Sequence, residues 1–457
     1  MNLIENNKTF SDSMMPGCFA GSTLTAAGIK NALIIFHGIA GCNIEAVHFR
    51  SDQIPGGHYV PVIPTGLDEN DCINGATDKL LRTLRDTISQ AKAKNRIPDV
   101  VFIFTSDATS IIGDDIHLAA RTVEEETGVN ILALDTPGFE GGIAKGVDLA
   151  LSSIIERFSS AESDKNSSVN IVAPYIMGSN NWNNDIDEMI RLMQAAGINI
   201  NLNLARNISL SEFNNLSKAK LNYIVSAEEL SDFETLSGNF GVKTFDLTLP
   251  LPVGIANTEE WLLSFANEYG NIEQAKEILV NDQKFIQSQL RFNYNFSWMS
   301  TLMHNKYASI LAPAKYGASL ARCLFWDFGI IPCVVGLTAE TDRAMDQAIE
   351  LLKPLEGSVN ITVLKNPTYY EYINAAKEAK VDFAVGSAQD KPLCLGANIP
   401  HLSLCGYNFF NQFNFVPYPN FGIRGVLSLL SALSKVMEDA FYMKDKMIGH
   451  NYRERSE

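Results

Sequence analysis

The chain is 457 residues long, 46% apolar, and carries a formal charge of −16. That length and apolar content suffice for about three domains, each with its own core. The acidic balance argues against nucleic acid, whose phosphates are met by Lys and Arg. Seven cysteines, an odd number at wide spacings, do not make a secreted disulfide framework. A reducing compartment, or use as metal ligands, suits them better. Met1 to Asp12 is polar without a hydrophobic signal core, and no run of about 18 apolar residues occurs. No membrane contact is expected, and the cytoplasm is the expected location.

In chain order, Asn31 to Phe36 is a continuous apolar run, as in a strand buried on both faces. Tyr59 to Ile63 reads as a strand whose Pro61 puts it at an edge or an end. Gly75 to Lys94 has helical spacing, with Leu80, Leu81, Leu84 and Ile88 on one face. Asp99 to Thr105 is the clearest strand. Its end delivers Asp107 and the Gly113-Asp114-Asp115 turn, then a helix runs to about Gly128. A strand at Asn130–Leu134 leads through Asp135 to Gly142 into a helix from Ile143 to Phe158.

Ser159 to Ser168 is small and polar and reads as a linker. Strands follow at Val169–Ala173, Ile198–Leu202, Leu221–Val225 and Val242–Leu247. A helix is marked by Ile186, Met189, Ile190 and Met193. The loop Leu249 to Gly254 leads to a helix at Thr258, and Asn271 to about Asn305 is mostly helical. Tyr307–Ala312, Ile330–Gly336, Val359–Leu364 and Val381–Val385 read as strands. Asn398–Leu404 and a helix from Gly425 to Met443 end the pattern. Strand–helix alternation predicts an α/β protein of three doubly wound domains with mainly parallel sheets. The expected domains are 1–160, 169–305 and 306–457. Ligands in such sheets lie at the carboxyl ends of strands.

The strand-end loops hold the chemistry. Cys18 and Cys42 sit beside Gly17, Gly21 and Gly41, which let backbone approach a bulky object closely. Thiolates are soft ligands suited to iron–sulfur clusters, although isolated thiols of this kind are also ordinary core residues. Asp107 ends the strongest strand, where it is either a further ligand or a helix cap. Asp114 and Asp115 read as first-turn helix residues favoured by the helix dipole. His37 is either a hydrogen-bond donor toward a cluster sulfur or a satisfied strand-end histidine. Cys72, Cys323 and Cys333 read as structural. Cys394 and Cys405 are expected to be core rather than metal ligands. The aromatic run Tyr407 to Phe415 reads as an interface or a core wall. No Gly-x-x-x-x-Gly-Lys-Ser/Thr sequence occurs, so no ATP hydrolysis is expected of this chain.

Taken in order, these segments resemble component 1 of nitrogenase and its relatives. Those relatives include cofactor-assembly scaffolds and the dark-operative protochlorophyllide and methylthio-alkane reductases. Gly17-Cys18-Phe19-Ala20-Gly21 resembles the family's first cluster-ligand segment. His37-Gly38-Ile39-Ala40-Gly41-Cys42 resembles its second, His-Gly-x-x-Gly-Cys. Ile112-Gly113-Asp114-Asp115 and Thr136-Pro137-Gly138-Phe139-Glu140-Gly141 are similar to its Ile-Gly-Asp-Asp turn and Thr-Pro-x-Phe-x-Gly loop. Pro252-Val253-Gly254-Ile255-Ala256-Asn257-Thr258 and Tyr418-Pro419-Asn420-Phe421-Gly422 are similar to segments of the β-type subunits. Two departures stand out. Asp107 occupies the position of the family's third cysteine; a carboxylate is a harder ligand, and an aspartate ligand has precedent in the protochlorophyllide reductase branch. The middle segment from Val169 to Asn305 contains no cysteine to hold a large cofactor.

The resemblance implies an iron–sulfur cluster, four-iron or P-cluster-like, shared with a partner subunit. Cys18, Cys42 and Asp107 would be its ligands here, with His37, Gly17 and Gly41 around them. It implies a β-type subunit of an ATP-dependent two-component reductase. Such a subunit pairs with an α-type chain, as an α2β2 heterotetramer, and receives electrons from an ATP-dependent iron–sulfur reductase. The alternatives are a scaffold subunit for metallocluster assembly and a metal-free structural partner of an α-type subunit.

Overall fold

A computed structural model of the chain describes residues 1–5, 17–42, 47, 60–161, 165–291, 303–406 and 418–444. In chain order its strands are β1 (Asn2–Glu5), β2 (Ala32–His37), β3 (Val62–Pro64), β4 (Val100–Thr105) and β5 (Asn130–Leu134). There follow β6 (Ser168–Val172), β7 (Asn199–Leu204), β8 (Leu221–Ile224) and β9 (Lys243–Thr244). The last are β10 (Tyr307–Pro313), β11 (Ile331–Thr338), β12 (Thr362–Lys365), β13 (Phe383–Ser387) and β14 (His401–Cys405). The described residues thus form a mixed α/β fold with three sheets and flanking helices. They gather into two compact units, Met15–Ile176 with Ile200–Phe245, and Met1–Met14 with Met177–Asn199 and Asp246–Glu457.

The first unit holds two four-stranded sheets, ordered β3-β2-β4-β5 and β7-β6-β8-β9. In the former every pairing is parallel. Its central strands β2 and β4 are buried along their whole length, which is why they read as unbroken apolar runs. Pro61 lies just before edge strand β3, and its carbonyl accepts from the Ile34 N–H at 2.9 Å. One face of this sheet is covered by the helices Thr77–Ala93 and Ile116–Thr127, which bury Leu80, Leu84, Ile88, Ile116 and Val123 against Leu33, Ile35, Val101 and Ile103. The chain starts at β2, steps outward to β3, then returns to place β4 on the other side. The order therefore reverses between β2 and β4, and crevices form beyond the carboxyl ends of such strand pairs.

In the same unit the helix Cys18–Ala27 crosses the helix Ile143–Phe158 at very short range. A Cβ at Gly21 would come within 2.0 Å of the Ile143 carbonyl oxygen, and one at Gly146 within 1.8 Å of that of Cys18. Ser22 Oγ donates to the Gly146 carbonyl at 2.9 Å. This crossing fixes the start of the first helix.

The second unit is built on a six-stranded sheet ordered β1-β12-β11-β10-β13-β14. All its pairings are parallel. Strand order reverses between β10 and β13. The edge strand β1 comes from the polar N-terminal arm, pairing Leu3 with Val363. With two apolar residues in four it carries no periodic signal, and its partner lies far along the chain. The strand expected over Val242–Leu247 shortens to Lys243–Thr244, and the helix expected at Thr258 begins at Gly254. Gly254 has φ +82°, and a Cβ there would press on Asp327 and Cys323. Residues 292–302, in the stretch expected to be helical, and the aromatic run Tyr407–Phe415 lie outside the described residues. Among the described residues no helix is long and apolar enough to cross a membrane.

Candidate metallocluster cradle

The expected ligands lie at one edge of the first sheet. His37 and Thr105 are paired at the carboxyl ends of β2 and β4, so the loops bearing Cys42 and Asp107 leave the sheet side by side, at the point where strand order reverses.

Cys18 is the first residue of its helix and is buried, with Gly17 at the N-cap. Gly17 pairs with Gly142, and a Cβ on it would lie 2.7 Å from the Gly138 Cα. Only glycine at 17 lets the turn Gly138–Glu140 pack against the start of the Cys18 helix. Asp107 opens the helix Asp107–Ile112, which Ser106 caps through a reciprocal pair with Thr109. The Thr109 hydroxyl donates to the His37 carbonyl at 2.8 Å, tying this helix to β2. Asp107 itself is exposed, and its Oδ1 accepts from the Gly138 N–H at 2.5 Å. Gly138 therefore touches both Gly17 and Asp107.

Cys42 closes a single 3-10 turn, Ala40–Cys42, and is exposed. Its N–H donates to the Ile39 carbonyl at 3.2 Å. Among the described residues, a Cβ at neighbouring Gly41 would meet nothing within 4 Å. No disulfide involves any of the seven cysteines, all of which lie among the described residues. The donor atoms of Cys18, Cys42 and Asp107 do not all fall within 4.8 Å of one another.

His37 is fully buried. Its Nδ1 and Thr65 Oγ1 are 3.1 Å apart, and its Nε2 and Asp114 Oδ2 3.0 Å. Burial lowers its pKa, opposed by the Asp114 carboxylate. Both ring nitrogens are engaged by protein, the satisfied strand-end arrangement. Asp114 departs from the first-turn role expected of it. Asp115 caps the helix Ile116–Thr127, while Asp114 turns inward. It accepts from the Ala76 N–H at 2.8 Å and the Thr77 hydroxyl at 3.2 Å, as well as bonding His37. It thus fastens the start of the helix Thr77–Ala93 to the end of β2. Two adjacent aspartates gave no sequence signal that only one would cap locally.

A second polar knot supports the Asp107 helix. Thr105 and Ser110 both donate to Asp135 Oδ1, at 2.5 Å each. Thr136 bonds Thr105 through its N–H and its hydroxyl, both at 2.8 Å. Around these loops three large apolar side chains face outward: Ile39 is 43% exposed, Ile111 75% and Phe139 64%. Each sits in a loop or short helix after β2, β4 or β5. Cys72 is half-buried on the mostly exposed helix Glu69–Asn74, Cys333 is half-buried in β11, and Cys323, Cys394 and Cys405 are buried.

Parallel sheets with flanking helices, whose order reverses between neighbouring strands, define a class of α/β protein that binds its ligands beyond the carboxyl ends of strands. Residues 17–438 match the family model described as nitrogenase component 1 type oxidoreductase. The chain belongs to that family. It is 24% identical over 395 residues to the nitrogenase iron-molybdenum cofactor biosynthesis protein NifE of Clostridium pasteurianum, covering 85% of this chain and 81% of that one. It is 23% identical over 480 residues to a nitrogenase molybdenum-iron protein beta chain of Methanococcus maripaludis, covering 97% of each. An alpha chain from Methanothermobacter marburgensis is 22% identical over 441 residues, covering 91% and 87%. The solved structure described as nitrogenase Cp1 at pH 6.5 superposes with a TM-score of 0.74 at 16% identity, over 96% of both chains. That likeness shows the fold.

Proposed function

We propose that the chain is a β-type, electron-relaying subunit of a nitrogenase-like, ATP-dependent two-component reductase. The observation that carries this reading is the cradle at the β2–β4 reversal. Cys42 and Asp107 follow neighbouring strand ends, Cys18 opens a helix whose Gly17 packs on Gly138 and so beside Asp107, and Ile39, Ile111 and Phe139 are exposed after β2, β4 and β5. Apolar residues gathered at a polar rim are the mark of a surface that another chain covers. The cradle reads as one half of a site, with an α-type subunit supplying the other half in an α2β2 assembly.

The donor set fits an iron–sulfur cluster, four-iron or P-cluster-like. Two thiolates suit iron, and Asp107 supplies a harder oxygen ligand. A cluster bound there would store and pass single electrons. The chain's own residues position it. The Gly21–Gly146 crossing fixes Cys18, the Gly138 N–H orients the Asp107 carboxylate, and Gly41 leaves space beside Cys42. The His37–Asp114 pair holds the end of β2 from behind. Electrons would come from a separate ATP-dependent iron–sulfur reductase and leave toward the α-type partner's active site. The cytoplasm, where thiols stay reduced, is the compartment this reading requires.

The similarity to the assembly protein NifE favours a second reading, a scaffold subunit on which a metallocluster matures. Purification of the complex under anaerobic conditions, with iron analysis and EPR, tests both. Absence of interfacial iron refutes both cluster readings and favours a structural role. Turnover with a reductase partner supports the relay, whereas cluster transfer to an acceptor without turnover supports the scaffold.

A further inference from the structure

A second group of metal-ligating side chains lies in the other compact unit, apart from the cradle. Asp390 is the N-cap of the helix Lys391–Gly396, and Cys394 follows one turn later, so both project from one side of that helix. His401 opens β14, which returns alongside β13. Asp390 and Cys394 are fully buried and the His401 side chain is 0% exposed. One ligand atom from each lies within 4.8 Å of the other two. His401 Nε2 is 2.8 Å from Asp390 Oδ2, and Cys394 Sγ is 4.0 Å from that same oxygen.

We propose that Asp390, Cys394 and His401 form a buried binding site for one divalent transition-metal ion of the zinc type. The site is independent of the electron-relay reading. In a tetrahedral zinc site, bonds of about 2.0 Å to N and O and about 2.3 Å to S separate the donor atoms by roughly 3.3–3.7 Å. Insertion would widen the His–Asp pair by about half an ångström and draw the thiol inward by a similar amount. One imidazole, one thiolate and one carboxylate make a recurrent zinc donor set, and their two negative charges neutralise the dication in a buried setting.

The supporting shell is already built. Asp390 Oδ1 accepts from the Ser387 N–H and hydroxyl, both at 2.6 Å, which leaves Oδ2 to face the other two donors. His401 Nδ1 lies 3.3 Å from Ser403 Oγ. That hydroxyl can accept from Nδ1–H when Nε2 takes a metal, and ring partners of this kind orient metal-ligating histidines. Gly386 keeps the space clear, since a Cβ there would sit 2.1 Å from Asp390 Oδ2. Metal binding would release the thiol proton to solvent and replace the His–Asp hydrogen bond with two coordinate bonds.

Cobalt(II) is the probe, because a thiolate ligand gives it an intense near-ultraviolet charge-transfer band. The full-length chain is prepared with Cys18→Ala and Cys42→Ala, so that the cradle thiols contribute nothing. Addition of cobalt(II) should give a thiolate-to-cobalt band that disappears in Cys394→Ser and whose affinity falls at least tenfold in His401→Asn. Circular dichroism confirms that each variant is folded, and either folded variant suffices for the comparison. A second arm needs no variant: chelation should lower the thermal midpoint of the unmutated chain, and stoichiometric zinc(II) should restore it. A band unchanged in a folded variant, no band in the parent, or a midpoint indifferent to chelator and zinc would overturn the site and leave a hydrogen-bonded core cluster.

Discussion

Gly146→Ala tests whether the Cys18 helix is held where a cluster needs it. The added methyl would lie 1.8 Å from the Cys18 carbonyl oxygen and 2.8 Å from the Ser22 nitrogen, whereas ordinary contact begins at 3.4 Å. The neighbours are helix backbone, so the helices Cys18–Ala27 and Ile143–Phe158 must part by about 1.5 Å. Overpacking of this kind costs about 1–3 kcal/mol. Loss of the Ser22–Gly146 hydrogen bond adds about 1 kcal/mol, and the better helix propensity of alanine returns a similar amount. Net destabilisation of about 1–3 kcal/mol is expected, measured as a lower urea midpoint for the chain stripped of iron. The contact falls on the carbonyl of Cys18 itself, so the thiol moves with it, and metal–ligand distances tolerate only about 0.2 Å. Iron content should therefore fall further than stability alone accounts for. Gly41→Ala is the control, because its Cβ meets nothing within 4 Å among the described residues. It should leave the urea midpoint of the iron-free chain unchanged, yet reduce iron uptake if a cluster fills the space beside Cys42. Gly146→Ala with both midpoint and iron content unchanged would refute the argument that this crossing sets the ligand.

Three further outcomes follow from side-chain geometry. Asp107→Asn keeps an acceptor for the Gly138 N–H but removes the charge, so iron loss in Asn and Ala alike, with retention at a lowered potential in Cys, identifies a ligand. Iron retained in both Asn and Ala identifies a brace for the Gly138 loop and no ligand. Asp114→Ala strands the His37 ring, the Ala76 N–H and the Thr77 hydroxyl; it should destabilise the chain by about 3 kcal/mol in urea, and a loss under 1 kcal/mol would contradict its bridging role. Burial raises Asp185 from 3.8 to about 7, although Ser179 and the Asn420 and Phe421 N–H groups donate to it. The folded state therefore holds that proton more tightly than the unfolded chain. Stability from this group falls as pH rises from 3.8 to about 7 and is level above that; Asp185→Asn should flatten the slope in pH-dependent urea titrations.

The sheet interiors were legible because burial on both faces writes itself as a continuous apolar run. Asn130–Leu134 and Ile143–Phe158 appear with the expected bounds, and β2 and β4 shift by one residue at their ends. Elements whose partner is distant in sequence were not legible. β1 needs β12 to exist as a strand. The helix expected around Ile186 is present as Trp182–Ala195, but its membership of the unit that carries the six-stranded sheet was not written in its periodicity. The helix expected after the Gly113-Asp114-Asp115 turn is present as Ile116–Thr127, and a short helix that was not expected, Asp107–Ile112, precedes the turn and ends where Gly113 takes φ +78°. Asp115 then starts a new cap.

The site residues divide along the same line. A cysteine beside glycines is visible in sequence because both residue types are restrictive, one in chemistry and one in backbone freedom. What glycine is for becomes visible only in three dimensions. Gly17 admits Gly138, Gly146 admits the Cys18 carbonyl, Gly386 clears Asp390, and a Cβ at Gly41 would meet none of the described residues. Asp107 belongs to both categories. Its side chain is spent on one hydrogen bond, to the Gly138 N–H, through one oxygen. That bond is what a helix-starting aspartate would make to brace the loop, and it is also what would hold a carboxylate in a fixed orientation toward a metal. The two roles share Oδ1 and differ only in the use of Oδ2. A substitution that preserves the first while removing the charge from the second therefore separates them, where truncation to alanine abolishes both at once.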